Sequence, residues 1–424
     1  MKPTGIVFQA ILASLFLQPA LSEDWTQFRG PSHNGASSEK ILTTWPHEGP
    51  RQIWKSPLTD GFSAFTVASG KAFTLVNREI EGAKQEVCIA LDADTGKELW
   101  AAKVGIAKYD DGGNRGVPGN DGGDGPRSTP SFDSGKVYTL SSRLVLQCFD
   151  AATGHEVWSK NLIAEFAARN IHWQSAASPL IDGNLVFVMG GGAGQSLLAF
   201  DKTDGHVVWK ALSEQITHST PVATTISDVR QIIFFTQSGL VSVVPETGSV
   251  LWRYPFKHAV STAMSPVVSG DIVYCSAGYG VGAGACQITR SGDAFAASSL
   301  WFQPASVLNN HWSTPVCTNG FLYGLFGQAQ FGTGPLKCVD IASGKIMWNK
   351  GGFGPGGCTL ADGHVLVLSD SGDLVIVKTS PSGYVETARS HILAGKCWNS
   401  VSVSNGRIYA RSTKEGVCLD VSAR

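Results

Sequence analysis

Three sets of side chains in this 424-residue chain have types and spacing suited to chemistry. The first is Arg127, His172, Trp173, His218, His311, Trp312, Trp398 and Asn399. Guanidinium and imidazole groups beside indole faces suit a flat anionic ligand, because rings stack and cations meet charge. The second is the run Asp110 to Gly125, with four Asp and two Asn among glycines. Carboxylate and amide oxygens on glycine turns are calcium chemistry, although this run has no Glu and matches no EF-hand spacing. The third is a recurring acid, Asp92, Asp150, Asp201 and Asp340. Each stands four residues before a glycine, which is the place of a turn cap rather than of a catalytic group. The ten histidines show no HExxH or paired zinc spacing, and no Gly-x-Ser-x-Gly elbow, P-loop or Cys-x-x-Cys-His occurs.

These side chains must be held by something, and the recurring acid shows what. Asp92-Ala-Asp-Thr-Gly96-Lys-Glu-Leu-Trp100 returns as Asp150–Trp158, Asp201–Trp209 and Asp340–Trp348. A decayed copy, Val244–Trp252, keeps the glycine and the tryptophan. Each copy reads as a hairpin: an apolar strand, a turn capped by Asp or Thr with Gly at positive φ, and an outer strand ending in Trp. With Trp54 and Trp301, the series is spaced by 43 (Trp209 to Trp252) to 58 residues (Trp100 to Trp158). A period of roughly 40–50 residues with four short strands per unit predicts an all-β chain, a β-propeller of four-stranded antiparallel blades.

Eight blades fit. They are expected at 63–103, 128–160, 175–210, 219–253, 262–302, 313–349, 357–393 and from Asn399 onward, the fifth with an expanded turn between Gly292 and Trp301. The eighth has only three strands of its own. Arg51-Gln-Ile-Trp54 is an orphan outer strand that should complete it and close the ring. The eight candidate binding residues then fall just before inner strands, where the chain converges on the axis. They either bind a ligand there or satisfy loop backbone and fill the funnel, and the second reading weighs more. The repeat Trp is expected to pack between blades.

Composition narrows the rest. Net charge is −1 and charged residues are 16%, so no basic patch for nucleic acid is present. Residues 1–22, with Lys2, the apolar run Gly5–Leu17 and Ala20-Leu21-Ser22, read as a cleaved signal peptide, leaving no stable transmembrane segment. Residues 23–50 form an irregular leader whose Trp25 and Phe28 should pack on the propeller flank; residues 51–424 form the propeller. Of nine cysteines, Cys148, Cys286, Cys338 and Cys418 occupy one repeat slot that otherwise holds Ala or Ser, so they read as buried thiols. Cys275 and Cys286 face each other across one hairpin as a possible pair.

The Asp92–Trp100 repeat resembles the A-x-D-x-x-T-G-x-x-x-W tryptophan-docking motif of the pyrroloquinoline-quinone-like (PQQ-like) propellers. Trp25-Thr-Gln-Phe-Arg-Gly-Pro, Gly125-Pro-Arg-Ser-Thr-Pro130 and Ser382-Gly-Tyr384 resemble an exported BamB-like subgroup. The resemblance implies one of two functions. One is a non-enzymatic scaffold in the periplasm or outside the cell, monomeric, with protein partners in the cell envelope. The alternative is a quinoprotein dehydrogenase that binds PQQ and calcium on the axis and oxidises alcohols or sugars. That class carries adjacent cysteines against the quinone, and this chain has none. The lipid-anchor Cys of BamB is also missing. The scaffold is the expected function, with no cofactor.

Overall fold

The computed structural model describes residues 23–109, 125–305, 307–327 and 334–423. The expected signal peptide and nearly all of the acid-rich run at 110–125 lie outside these residues. Alternating short strands build eight four-stranded antiparallel blades in chain order, the seventh joined by a fifth, parallel strand from the leader. The first is Thr66–Ala68, Lys71–Ile80, Ala83–Asp92 and Glu98–Ile106, running from the axis outward. In the eighth, Ser402–Ser404, Arg407–Arg411 and Glu415–Asp420 take Arg51–Pro57 as their outer strand, pairing Trp54 with Cys418. The N-terminal strand therefore closes the ring, and no blade is left with three strands.

The recurring turns explain the repeat. Asp92 Oδ1 accepts from Asp94 N (3.1 Å), Thr95 N (2.9 Å) and Thr95 Oγ1 (2.8 Å). That side chain closes the turn, and Gly96 follows at φ +69°. Asp150 and Asp340 cap their turns in the same way. The outer-strand Trp then docks on the turn of the next blade. Trp54, Trp100, Trp158, Trp209 and Trp301 each lie over the repeat Gly of that turn, where a Cβ would fall 2.6–2.8 Å from the indole. Their Nε1 groups donate to carbonyls there: Ala93, Ala151, Lys202, Pro245 and Ile341. Trp252 is different and donates to Gln231 Oε1 of its own blade, because the fifth blade has no docking turn to offer.

That blade departs from expectation. The loop foreseen between Gly292 and Trp301 is a tight turn at Gly292–Asp293, with Ser291 paired to Ala294. The extra residues lengthen the strands Gly282–Ser291 and Ala294–Pro304 instead. The cysteines are all free thiols, eight of them buried. Cys275 stands opposite Gly284 and Cys286 opposite Val273, so the two lie diagonally and are not joined.

The leader also differs from expectation. It does not lie on the outer flank but crosses the end of the central channel. Trp25 bridges Val67 of the first blade, and Thr26 O accepts from Phe132 N of the second. Gln27 exchanges two hydrogen bonds with Ile181 of the third, and His33 Nδ1 donates to Ala223 O of the fourth. Arg29 reaches Thr314 O (3.1 Å) and Pro315 O (2.9 Å) of the sixth. Ala36–Ser37 adds in parallel to Gly357–Ala361 of the seventh, and Glu39 accepts from Asn405 N and Gly406 N of the eighth. A segment that bonds the innermost strands, or the residues beside them, in seven blades must lie across the axis.

Candidate functional site

The inner strands meet at the axis, and hydroxyl side chains tie them together. Thr129 Oγ1 accepts from Ala64 N, Ser178 Oγ from Thr129 N, Thr220 Oγ1 from Ser178 N, and Thr314 Oγ1 from Ser265 N, all near 3.0 Å. Each bond crosses from one blade to another, so the Ser-Thr-Pro segments form a hydrogen-bonded collar. Above the collar is a cavity of about 340 Å³. Phe28 and Arg29 of the leader belong to its lining, and the leader bonds the inner strands on the side of the collar away from the residues that precede those strands.

The cavity gathers seven of the eight candidate residues, Arg127, Trp173, His218, His311, Trp312, Trp398 and Asn399. His172 is not in the wall; its ring packs on Trp173 (4.6 Å between centroids) and its carbonyl accepts from His218 Nε2 (2.9 Å). Sequence reasoning missed Phe62, Tyr279 and Arg29. Phe62 had a signal: it precedes Ser63 as Arg127 precedes Ser128, His218 precedes Ser219 and Trp312 precedes Ser313.

The rings form a continuous belt. Phe62 stacks on Trp398 (4.9 Å) and Trp398 lies on Trp312 (5.0 Å). Trp312 meets His311 (4.5 Å), His311 meets Tyr279 edge-on (5.1 Å), and Tyr279 stacks on Trp173 (5.9 Å). Lys396 Nζ lies over Trp398 at 4.9 Å, a cation–π contact. Arg127 donates to Trp173 O (2.5 Å) and its guanidinium covers Tyr109.

Burial holds two imidazoles of the wall, His218 and His311, in the neutral form. Burial, with Arg127 nearby, pushes His218 down to about 3, and burial pushes His311 down to about 4. His218 donates from Nε2 and accepts from Ser261 Oγ at Nδ1 (3.1 Å), which sets its tautomer. Arg29 is buried, with no carboxylate paired to it among the described residues, and binds four carbonyls, including Asn34 O (2.9 Å). Burial lowers its pKa to about 10, so it stays charged at neutral pH. Asn399, with both polar side-chain atoms unmet, and Ser313, with its hydroxyl unmet, are buried in the wall.

Calcium does not fit this donor set. A hard cation needs anionic oxygens, and among the described residues no Asp or Glu lines the cavity. One group with metal-ligand spacing occurs among the described residues, Asp201, Asp204 and His206. It sits in the exposed docking turn of the third blade, where Asp201 Oδ1 accepts from Thr203 N and Asp204 Oδ1 from His206 N. These are turn caps, away from the axis.

The family described as outer membrane protein assembly factor BamB matches residues 83–324, more than half of the chain. The chain belongs to the BamB family. The BamB of Shewanella oneidensis is 25% identical over 239 residues, which are 53% of this chain and 56% of that protein. The chain thus spans little more than half the length of this relative. Among solved structures, BamB from Moraxella catarrhalis superposes with a TM-score of 0.59 at 15% identity, covering 88% of this chain and 98% of that one. Quinohemoprotein alcohol dehydrogenase from Comamonas testosteroni gives 0.63 at 14%, covering 95% and 81%. At these identities the likeness is one of fold. The fold is thus shared with a quinoprotein, and fold alone does not set function.

Proposed function

We propose that this BamB-family chain is a non-catalytic binding module of the cell envelope, exported as a monomer to hold protein partners during outer-membrane protein assembly. One observation carries this reading. The residue before the docking Trp is an exposed aliphatic in blade after blade: Leu99, Val157, Val208, Leu300 and Met347. Scattered apolar residues on a surface are ordinary. Here one register repeats around the ring, on outer strands whose far edges are unpaired. Such an edge can take an added strand through its main chain, with apolar side chains giving contact area. Family membership and the lack of carboxylates among the described residues of the cavity support the same reading. No helix among the described residues is long and apolar enough to cross a membrane, which leaves strand-built spans untouched.

The test is site-specific photo-crosslinking in the native cell from Val157, Val208 and Leu300, with Lys202 as control. The expected result is crosslinks to an outer-membrane assembly component from the outer-strand sites. No crosslink above the control, with unchanged outer-membrane protein levels on deletion, would overturn it. The second reading is a quinone-dependent oxidoreductase. The fold likeness to quinohemoprotein alcohol dehydrogenase favours it, and the donor set of the cavity opposes it.

A further inference from the structure

We propose that the outer strand of the fifth blade, Ala294–Pro304, is the edge on which a partner strand adds, and that the partner is an uncharged extended segment of about ten residues with apolar side chains at alternate positions. The inference rests on the protein-binding reading above and names the blade and the kind of partner.

An open edge strand is a template for pairing, and proteins blunt it with charge, proline or a cover. The other seven outer strands are blunted. Each carries Lys or Arg, such as Lys103 in the first blade and Lys160 in the second, and they run five to nine residues. Ala294–Pro304 runs 11 residues, and from Ala294 to Gln303 it holds neither a charge nor a proline. Its inner edge pairs with Gly282–Ser291 from end to end. Among the described residues no strand pairs with its outer edge, and no main-chain hydrogen bond from another segment reaches it.

The side chains say what this edge accepts. Phe295, Ala297, Trp301 and Gln303 are half-buried, whereas Ala296, Ser298, Leu300 and Phe302 are exposed. The exposed face offers apolar contact through Leu300 and Phe302, and no ion-pair partner. A charged segment would give up hydration there without compensation, whereas a neutral one keeps the main-chain pairing and gains contact area. Length points the same way. A strand that crosses a membrane in a barrel has roughly 9–11 residues with apolar side chains at alternate positions. The chemistry of the partner is therefore that of a barrel strand that has not yet met its neighbours.

The edge is also held in place. Tyr254 of the fourth blade donates to Ser299 Oγ (3.2 Å), and Phe256 meets Phe302 edge-on (5.7 Å). Arg290, on the paired strand, donates to Ser227 O of the fourth blade (2.8 Å), and Trp301 docks on the turn of the sixth. Binding then orders only the added strand.

Fluorescence anisotropy with the full purified chain tests this. The probe is a labelled peptide of alternating Thr and Val, about ten residues long, with lysines at its N-terminus for solubility. A second peptide carries N-methyl groups on alternate residues, which removes main-chain donors and keeps the side chains. The first should bind about tenfold or more tightly than the second. Ser298→Lys and Leu300→Lys should each weaken that binding about fivefold or more, with the circular dichroism spectrum unchanged. Met347→Lys, which stands before Trp348 as Leu300 stands before Trp301, should leave it unchanged. No binding at about 100 μM chain, equal binding of the two peptides, unchanged affinity in the folded fifth-blade variants, or an equal loss in Met347→Lys would overturn the proposal. If it fails while Val157 and Val208 still crosslink, the protein-binding reading stands and the fifth-blade edge falls. If those crosslinks are also missing, both fall.

Discussion

Gly205→Ala isolates the contact that joins the blades. Gly205 has φ +73°, and a Cβ there would lie 2.7 Å from Trp158 Cδ2 and Cε3. Carbon atoms pack at about 3.5–4.0 Å, so the indole must retreat by about 1 Å. That movement breaks the Trp158 Nε1 to Lys202 O bond of 3.2 Å. The left-handed backbone costs about 1 kcal/mol, the lost bond about 1 kcal/mol and the overpacking about 1–3 kcal/mol. The sum is about 3–5 kcal/mol. Gly183→Ala is the matched control, since Gly183 has φ +58° but open space where its Cβ would go. It should lose only the backbone cost, about 1 kcal/mol. Urea unfolding followed by far-UV circular dichroism reads both. If the two variants lose the same stability to within about 0.5 kcal/mol, the docking contact is not what requires glycine.

Three further outcomes follow from the same structure. Arg29→Met should lower stability by at least about 3 kcal/mol, because four carbonyls lose a charged donor. Arg29→Lys should recover less than half of it, since an ammonium cannot span that fork, and urea midpoints compare the two. Burial depresses His33 to about 4 and His218 to about 3, against an ordinary 6.5. His311 is likewise held at about 4, so the unfolded chain binds three protons that the folded chain refuses. Stability is complete above about pH 6.5 and falls by up to about 1.4 kcal/mol per pH unit for each ring as pH drops toward 4; a urea midpoint that stays flat from pH 7 to 5 would contradict this. A thiol reagent without reductant should label at most one cysteine in the native chain, Cys317, and nine after denaturation. Seven after denaturation would mean that a pair such as Cys275 and Cys286 is joined.

The blades were legible because their signals are local. Asp92 caps a turn whose other members are two to four residues away, and Gly96 is needed within the same turn. The closing strand was legible because Arg51–Trp54 carried the outer-strand pattern without the strands before it. The fifth blade misled because the repeat register was carried through Gly292–Asp293, which is itself a hairpin turn. The leader was illegible for a different reason. Arg29 finds Thr314 and Pro315 across 285 and 286 residues, and no period marks such partners. Of the cavity, the residues preceding inner strands were visible as a register. Tyr279 was not, because it enters from a glycine-rich loop with its own backbone at φ +57°.

Binding without catalysis is the proposed role of this propeller, and it has a direct test. The direct measurement is titration of the purified chain with pyrroloquinoline quinone, with and without Ca²⁺, followed by dye reduction on alcohols and sugars. A cavity without carboxylates among its described residues should show no calcium-dependent quinone binding and no turnover. Tight calcium-dependent binding with dye reduction would contradict a non-catalytic role and make the axial cavity an active site.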